Sequence, residues 1–441
     1  MPCNATKLYD SVTFDGFGAF QMGQLVRGYY NAPFSQVSEN RDNHLISHQW
    51  IESVKSRFTS TFYSGPSLKI NFGFDFNYNF VTINNPGPNP DNIKSLTPLT
   101  YYPDLLIHRA DLEYSFLSNE NSSLNFQFGY FPFKYNPQAR NLGEYLFRSG
   151  IYPNYIVNEF YFAQSRLLGA NLEGALKGTA ANLRANLFLT SEVTYPVQDF
   201  SLAGLVNAGV LNNAFELGAG IQLQRLISVD PKRTTPHNLN NSIVDTITND
   251  TSYYTYTGTK LMGRICFDIK KIIPMMTFLG DEDLKIYGEG AILGISNYGI
   301  FYDNISERMP LMFGFDIPAF KILDVLALEF EYYTNPYFNN NRNQVYANND
   351  NYKPATPYLL PDQENDSQGG HGPTSVKDHR WKWSIFAQKK IGRNLQLVAQ
   401  AARDHSRFQD PMIRQTYFTY DGDVTLSAKD WYYLLRLEWQ F

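Results

Sequence analysis

Two histidines four residues apart, His44 and His48, are the first side chains whose type and spacing could do chemistry. His-x-x-x-His can put two imidazoles on one metal ion, but zinc sites take three or four protein ligands and no third stands nearby. The run "DQENDSQGGHGP" (362–373) opens like a calcium loop with Asp362, Glu364 and Asp366. Such a loop needs glycine at its sixth position and glutamate at its twelfth, and here these are Ser367 and Pro373. It reads as a solvated loop tip. No G-x-S-x-G nucleophile elbow occurs and the seven histidines are scattered. Of the two cysteines, Cys3 lacks the signal sequence a lipid-bearing cysteine would need, and Cys266 falls on the polar face of a strand. These residues predict no enzyme, no metal and no cofactor.

The remaining chemistry lies in charges set at every second position. "LKINFGFDFNYNF" (68–80) alternates without a slip: Leu68, Ile70, Phe72, Phe74, Phe76, Tyr78 and Phe80 against Lys69, Asn71, Gly73, Asp75, Asn77 and Asn79. A period of two is an extended strand with its faces in different surroundings. The same pattern runs through "ADLEYSF", "LNFQFGY", "LRANLFL", "LMGRICFDI", "LALEFEY", "WKWSIFA" and "WYYLLRLEWQF". No helical periodicity of comparable length competes, and no apolar run reaches the roughly 18 residues of a membrane helix. "MPCNATKLYD" has no charged-then-apolar leader, which fits a mature form better than a cytoplasmic chain. The net charge of −5 gives no basic footprint, so nucleic acid is not expected as a partner.

A sandwich facing water also alternates. Three features favour a barrel in lipid. The alternating runs exceed the five or six residues usual in globular strands and reach the roughly 9–11 that a tilted membrane strand needs. Connections alternate between short ("SGPS", "NENS", "KILD", "GRN") and long (83–103, 137–156, 339–378, 408–426). Aromatic residues, 31 Tyr and 33 Phe in all, crowd the apolar faces near strand ends. Parity then counts the strands. The segments 182–197 and 213–229 must both run upward, so "SLAGLVNAGV" (201–210) has to be a downward strand between them, turning at "LNNA". That gives an all-β, transmembrane, antiparallel up-and-down barrel of about sixteen strands, wide enough for an aqueous channel. Its expected parts are a short periplasmic tail (1–11) and a barrel (12–441) with outer loops 31–48, 83–103, 137–156, 230–252, 339–378 and 408–426.

The polar positions should then line the lumen: Lys69, Asp75, Arg109, Asp111, Glu113, Arg184, Arg264, Glu329, Glu331, Arg380 and Lys382 among them. The signs nearly balance, and Arg380 and Lys382 should lie on the strand beside Glu329 and Glu331, which favours paired charges. Asp75→Lys is expected to leave folding intact and Phe74→Lys to harm it.

The closing strand, with Trp439 and a final Phe441, resembles the outer-membrane β-barrel porins of Gram-negative bacteria. The resemblance covers the architecture of the whole chain. It implies a cell outer-membrane location and Trp439 and Phe441 as a signal to the barrel assembly machinery. It also implies outer-membrane lipids and lipopolysaccharide as surroundings, and a homo-trimer. In that family the third outer loop folds inward and narrows the channel. The loop at the same place here, "YNPQARNLGEYLFRSGIYPNYI" (135–156), carries Arg140, Glu144 and Arg148, which one or two helical turns would set on one face. The function implied is passive diffusion of small hydrophilic solutes and ions. A channel specific for sugars or anions, and a surface adhesin or structural barrel, stay open beside it.

Overall fold

The computed structural model describes residues 10–31, 43–79, 82–84, 96–98, 104–147, 165–191, 199–228, 242–244, 251–253, 258–273, 278–295, 304–334, 380–404 and 428–441. Sixteen strands close into one barrel, each antiparallel to its sequence neighbours. They are β1 (Ser11–Asn31), β2 (Asn43–Ser64), β3 (Leu68–Asn79), β4 (Asp104–Ser118), β5 (Ser122–Phe133), β6 (Ser165–Lys177), β7 (Ala181–Ser191) and β8 (Asp199–Val210). The second half is β9 (Phe215–Ser228), β10 (Gly258–Asp268), β11 (Lys285–Ile292), β12 (Leu311–Asp316), β13 (Val325–Tyr332), β14 (Trp381–Ile391), β15 (Leu395–Arg403) and β16 (Trp431–Gln440). β1 and β16 pair from Phe17↔Gln440 to Arg27↔Trp431, so no barrel edge is left unpaired. Gly16 and Phe441 exchange backbone hydrogen bonds of 2.8 and 3.0 Å at the rim of this seam.

The strand demanded by parity is β8. Its turn into β9 puts Leu211, Asn212 and Asn213 at φ of 52°, 57° and 59°. The left-handed region is open to asparagine at little cost, so "LNNA" reverses the chain in four residues.

The strands differ from expectation in length. β1 and β2 have 21 and 22 residues, and their ladder continues to Asn31↔Asn43. The connection is therefore 32–42, inside the expected 31–48, because backbone pairing persists where side-chain alternation fades. β12 has only 6 residues. The short-turn end also carries one long connection, 269–284, which begins with the four-residue helix Ile269–Ile272. In the expected loops 83–103 and 230–252, only two small two-stranded ribbons fall among the described residues. Arg148, Phe80, Cys3, loops 339–378 and 408–426 and the calcium-like run lie outside them.

Alternation sorts the side chains onto two faces. Outward, large apolar residues stand exposed all the way round: Phe72 (46%), Leu105 (68%), Phe128 (58%), Leu187, Phe313 and Leu435 are examples. Aromatic clusters band both ends of this belt. Tyr332–Trp381 (4.7 Å) and Trp383–Trp431 (6.4 Å) lie at the long-loop end, and Phe58–Phe441 (6.0 Å) and Phe278–Phe320 (6.1 Å) at the short-turn end. No helix among the described residues is long and apolar enough to cross a membrane.

Inward, the wall is polar except for one patch. Phe131, Phe188, Leu205, Met262, Tyr287 and Met312 face the lumen and form a buried apolar cluster with residues of the segment that follows β5. Among the described residues, that segment covers this apolar surface.

Candidate functional site

Residues 134–147 leave the top of β5, turn into the barrel and dock on the opposite wall. Apolar burial holds one side of this segment. Ala139, Leu142, Leu146 and Phe147 are fully or almost fully buried against the wall patch. Phe133, Phe147 and Phe188 make a trio of edge-to-face rings with centroids 4.7–5.8 Å apart. A leucine buried this way contributes about 1.5–3 kcal/mol.

Carboxylates hold the other side. Glu329 on β13 accepts the backbone N–H groups of Arg140 (2.5 Å), Asn141 (2.8 Å) and Leu142 (2.8 Å), together with the Tyr287 hydroxyl (3.0 Å). Glu289 on β11 accepts the N–H groups of Glu144 (3.0 Å) and Tyr145 (2.7 Å), the Tyr135 hydroxyl (2.6 Å) and the Asn136 amide (2.8 Å). The Tyr145 hydroxyl donates to Glu331 (2.6 Å), and the Asn141 amide to Asp404 (2.6 Å) just past β15. These are charge-assisted bonds in a site closed to water, where each is stronger than its neutral counterpart.

The local backbone explains the aim of these N–H groups. Gly143 and Glu144 take φ of 85° and 65°. That turns the chain so that consecutive N–H groups point at Glu289. A φ of 85° strains any residue with a Cβ, and a Cβ at 143 would also press on Met312 Cε (2.6 Å) and Glu289 Oε2 (3.2 Å), so glycine suits the position. The same two residues overturn the helical reading: 135–147 runs in bends and turns, and Arg140 and Glu144 share no face. Glu144 is wholly buried and folds back to accept the N–H groups of Tyr135 (3.4 Å) and Asn136 (2.5 Å). Arg140 reaches the other way, to Glu282 (3.0 Å) in the β10–β11 connection. Burial pushes the Glu282 carboxyl up, but Lys285 and Arg140 outweigh it and hold it below the usual carboxylate range. The tie is thus kept as pH falls, until that lowered value is reached.

The other charges named from sequence fall into separate groups. Arg109 bonds Asp111 (2.5 Å) and Glu113, Asn71 bridges both carboxylates at 3.1 Å, and Lys69 stands 3.9 Å from Glu113. Asp75 sits elsewhere, among cations absent from that set. Arg57 binds it through two nitrogens (2.7 and 2.9 Å), Arg166 through one (2.9 Å), and the His108 ring lies 3.3 Å away. A lysine at 75 would add a third fixed cation beside two arginines, so the expected tolerance of Asp75→Lys is corrected: that change breaks a buried network. Glu329, Glu331 and Lys382 are on the lumen side but lie under the docked segment and do not face open water. Lys382 pairs in register with Glu331 and donates to the Asp404 carbonyl (3.3 Å). Arg380 is half-buried just before β14. Arg264 is engaged by Asn207 (2.7 Å), Gln138 (3.2 Å) and Glu216 (3.3 Å). Arg184 is exposed on the lumen side of β7. Trp439 and Phe441 point outward at the short-turn rim.

Several contributors escaped the sequence reading. His108 enters the lumen through a bulge, where Gly73 pairs with Arg109 and Phe74 already with Ile107. Arg57 lies in "SVKSRFTSTF", whose alternation is blurred, and Arg166 lies at the start of β6, before the clean pattern. The wall patch left a legible trace, since Phe131, Phe188 and Met262 put apolar residues where the polar half of the alternation belongs. No group of three metal-ligating side chains occurs among the described residues, and the His44 side chain lies outside them. The arrangement can hold charged or polar solutes against its walls.

No protein-family model matches the chain, and no curated protein does. Solved structures of similar shape include the outer membrane channel DcaP of Acinetobacter baumannii, 13% identical over 99% of each chain with a TM-score of 0.41. OprB of Pseudomonas putida is 8% identical over 98% of this chain and 94% of its own, at 0.48. OmpF of Salmonella typhi, solved with daunomycin, is 9% identical over 98% and 97%, at 0.43. With every TM-score below 0.5, none of these likenesses assigns a role to any residue here.

Proposed function

We propose that this chain is an outer-membrane porin, a membrane-spanning barrel through which small hydrophilic solutes and ions diffuse passively. One observation carries the reading: a closed sixteen-stranded barrel is apolar and exposed outside and charged inside. A continuous exposed apolar belt is untenable in water, and lipid removes that cost. In this reading 134–147 is the constriction, with Arg140 beside the narrowest passage, and the lumen walls carry Lys69, Asp75, Arg109, Asp111, Glu113, Arg184 and Arg264. Trimer formation, contact with lipopolysaccharide and assembly through Trp439 and Phe441 belong to the same reading.

Purified protein in planar bilayers decides. We expect discrete current steps in potassium chloride and larger steps after deletion of 138–147, whose removal leaves every barrel ladder intact. A folded, membrane-inserted protein that passes no current would favour the adhesin or structural reading instead.

A further inference from the structure

Beneath the docked segment, on the short-turn side, the lumen keeps a cavity of about 340 Å³ between that segment and the wall of β6–β10. That is the size range of small-ligand pockets. Its charges do not balance. Lys134, Lys177, Arg184 and Arg264 line it against only Glu173 and Glu216. Much of this charge is already committed. Arg264 is held by Glu216, Asn207 and Gln138, and Glu173 accepts the Asn186 amide (3.2 Å). Lys134 donates to the Ala139 carbonyl (2.6 Å). Arg184 and Lys177 have no side-chain hydrogen bond or ion pair among the described residues. Both are exposed, on facing strands whose register sets Lys177 opposite Asn182, two residues before Arg184. The Phe133 ring and the Asn182 and Asn207 amides complete the lining.

An unmatched guanidinium and ammonium, with amides and an aromatic wall, are complementary to an anion and repel a cation. We propose that this cavity is a binding site for a small anionic solute carrying a carboxylate or phosphate, with Arg184 as the bidentate contact and Lys177 as the second charge. As a step on a transport path the site rests on the channel reading above. As a binding site it does not.

The test uses the folded full chain in detergent, titrated calorimetrically with sodium benzoate, inorganic phosphate and glucose. The same solutes are then added to the short-turn side of bilayers holding the protein. Binding of benzoate or phosphate is expected, weakened at least roughly tenfold by Arg184→Ala, since losing even one of the two charged hydrogen bonds implies that much. Arg184→Lys should recover part of the loss, and Lys177→Ala should cost less. Each variant is first checked for the mobility shift of the folded barrel. In bilayers the bound anion should interrupt the chloride current. Benzoate preferred to phosphate would make the carboxylate with the Phe133 ring the recognised chemistry, and the reverse would make it phosphate. Glucose binding as well as either anion, or anion binding indifferent to Arg184→Ala, would overturn the proposal. Anion binding without current would sink the channel reading alone.

Discussion

Glu329 shows how much one residue can decide. Its two oxygens accept three backbone N–H groups of the inward segment and a phenol from the same wall. In Glu329→Gln, one acceptor oxygen becomes an NH₂ that faces N–H donors, at a cost of about 1.5–3 kcal/mol for the charged bonds lost. The amides of Arg140, Asn141 and Leu142 should then exchange with solvent at least roughly tenfold faster while strand amides keep their protection. Unchanged exchange at those three positions would mean that the apolar contacts alone hold the segment. Glu329 could be placed on a lumen-facing position from sequence, because period two fixes the face. Its partners could not: they are backbone groups about 188 positions away, and a backbone N–H leaves no mark in an amino-acid string. Asp75 failed in the same way, since neither Arg57 nor Arg166 stands in a clean alternating run.

The elements were the most legible level. The polar–apolar rhythm gives β3 to within a residue of its end, and antiparallel parity gives β8. The boundaries that misled are those where pairing outlasts patterning, as at the outer ends of β1 and β2, or where a bulge adds a residue, as at His108 in β4. A lysine in place of Phe74, whose ring faces outward 5.4 Å from Phe58, tests the register. If that position lies at the bilayer midplane, the substitution should cost about 2–4 kcal/mol of stability in lipid vesicles. Urea titration of the folded protein in vesicles measures it. A loss below about 0.5 kcal/mol would put Phe74 out of the lipid.

At the scale of the molecule, closure through β1 and β16 leaves every barrel strand with two neighbours. A ladder with no free edge resists dodecyl sulfate until heated. Unboiled protein should therefore migrate apart from boiled protein on a denaturing gel, and identical mobility would speak against a closed barrel in solution. The sequence pointed to a closed barrel through its even strand count, whereas the crossing of the lumen was expected only from the resemblance to porins, because its attachments have no periodicity. Those attachments also join distant parts of the chain: Asn141 pairs with Asp404, 263 positions later, and Tyr135 with Glu289, 154 positions later. The inward segment can therefore be fixed in place only once the far wall, from β11 to the end of β15, is there to receive it. In the reading proposed above, a restriction held in this way is a mark of a finished barrel.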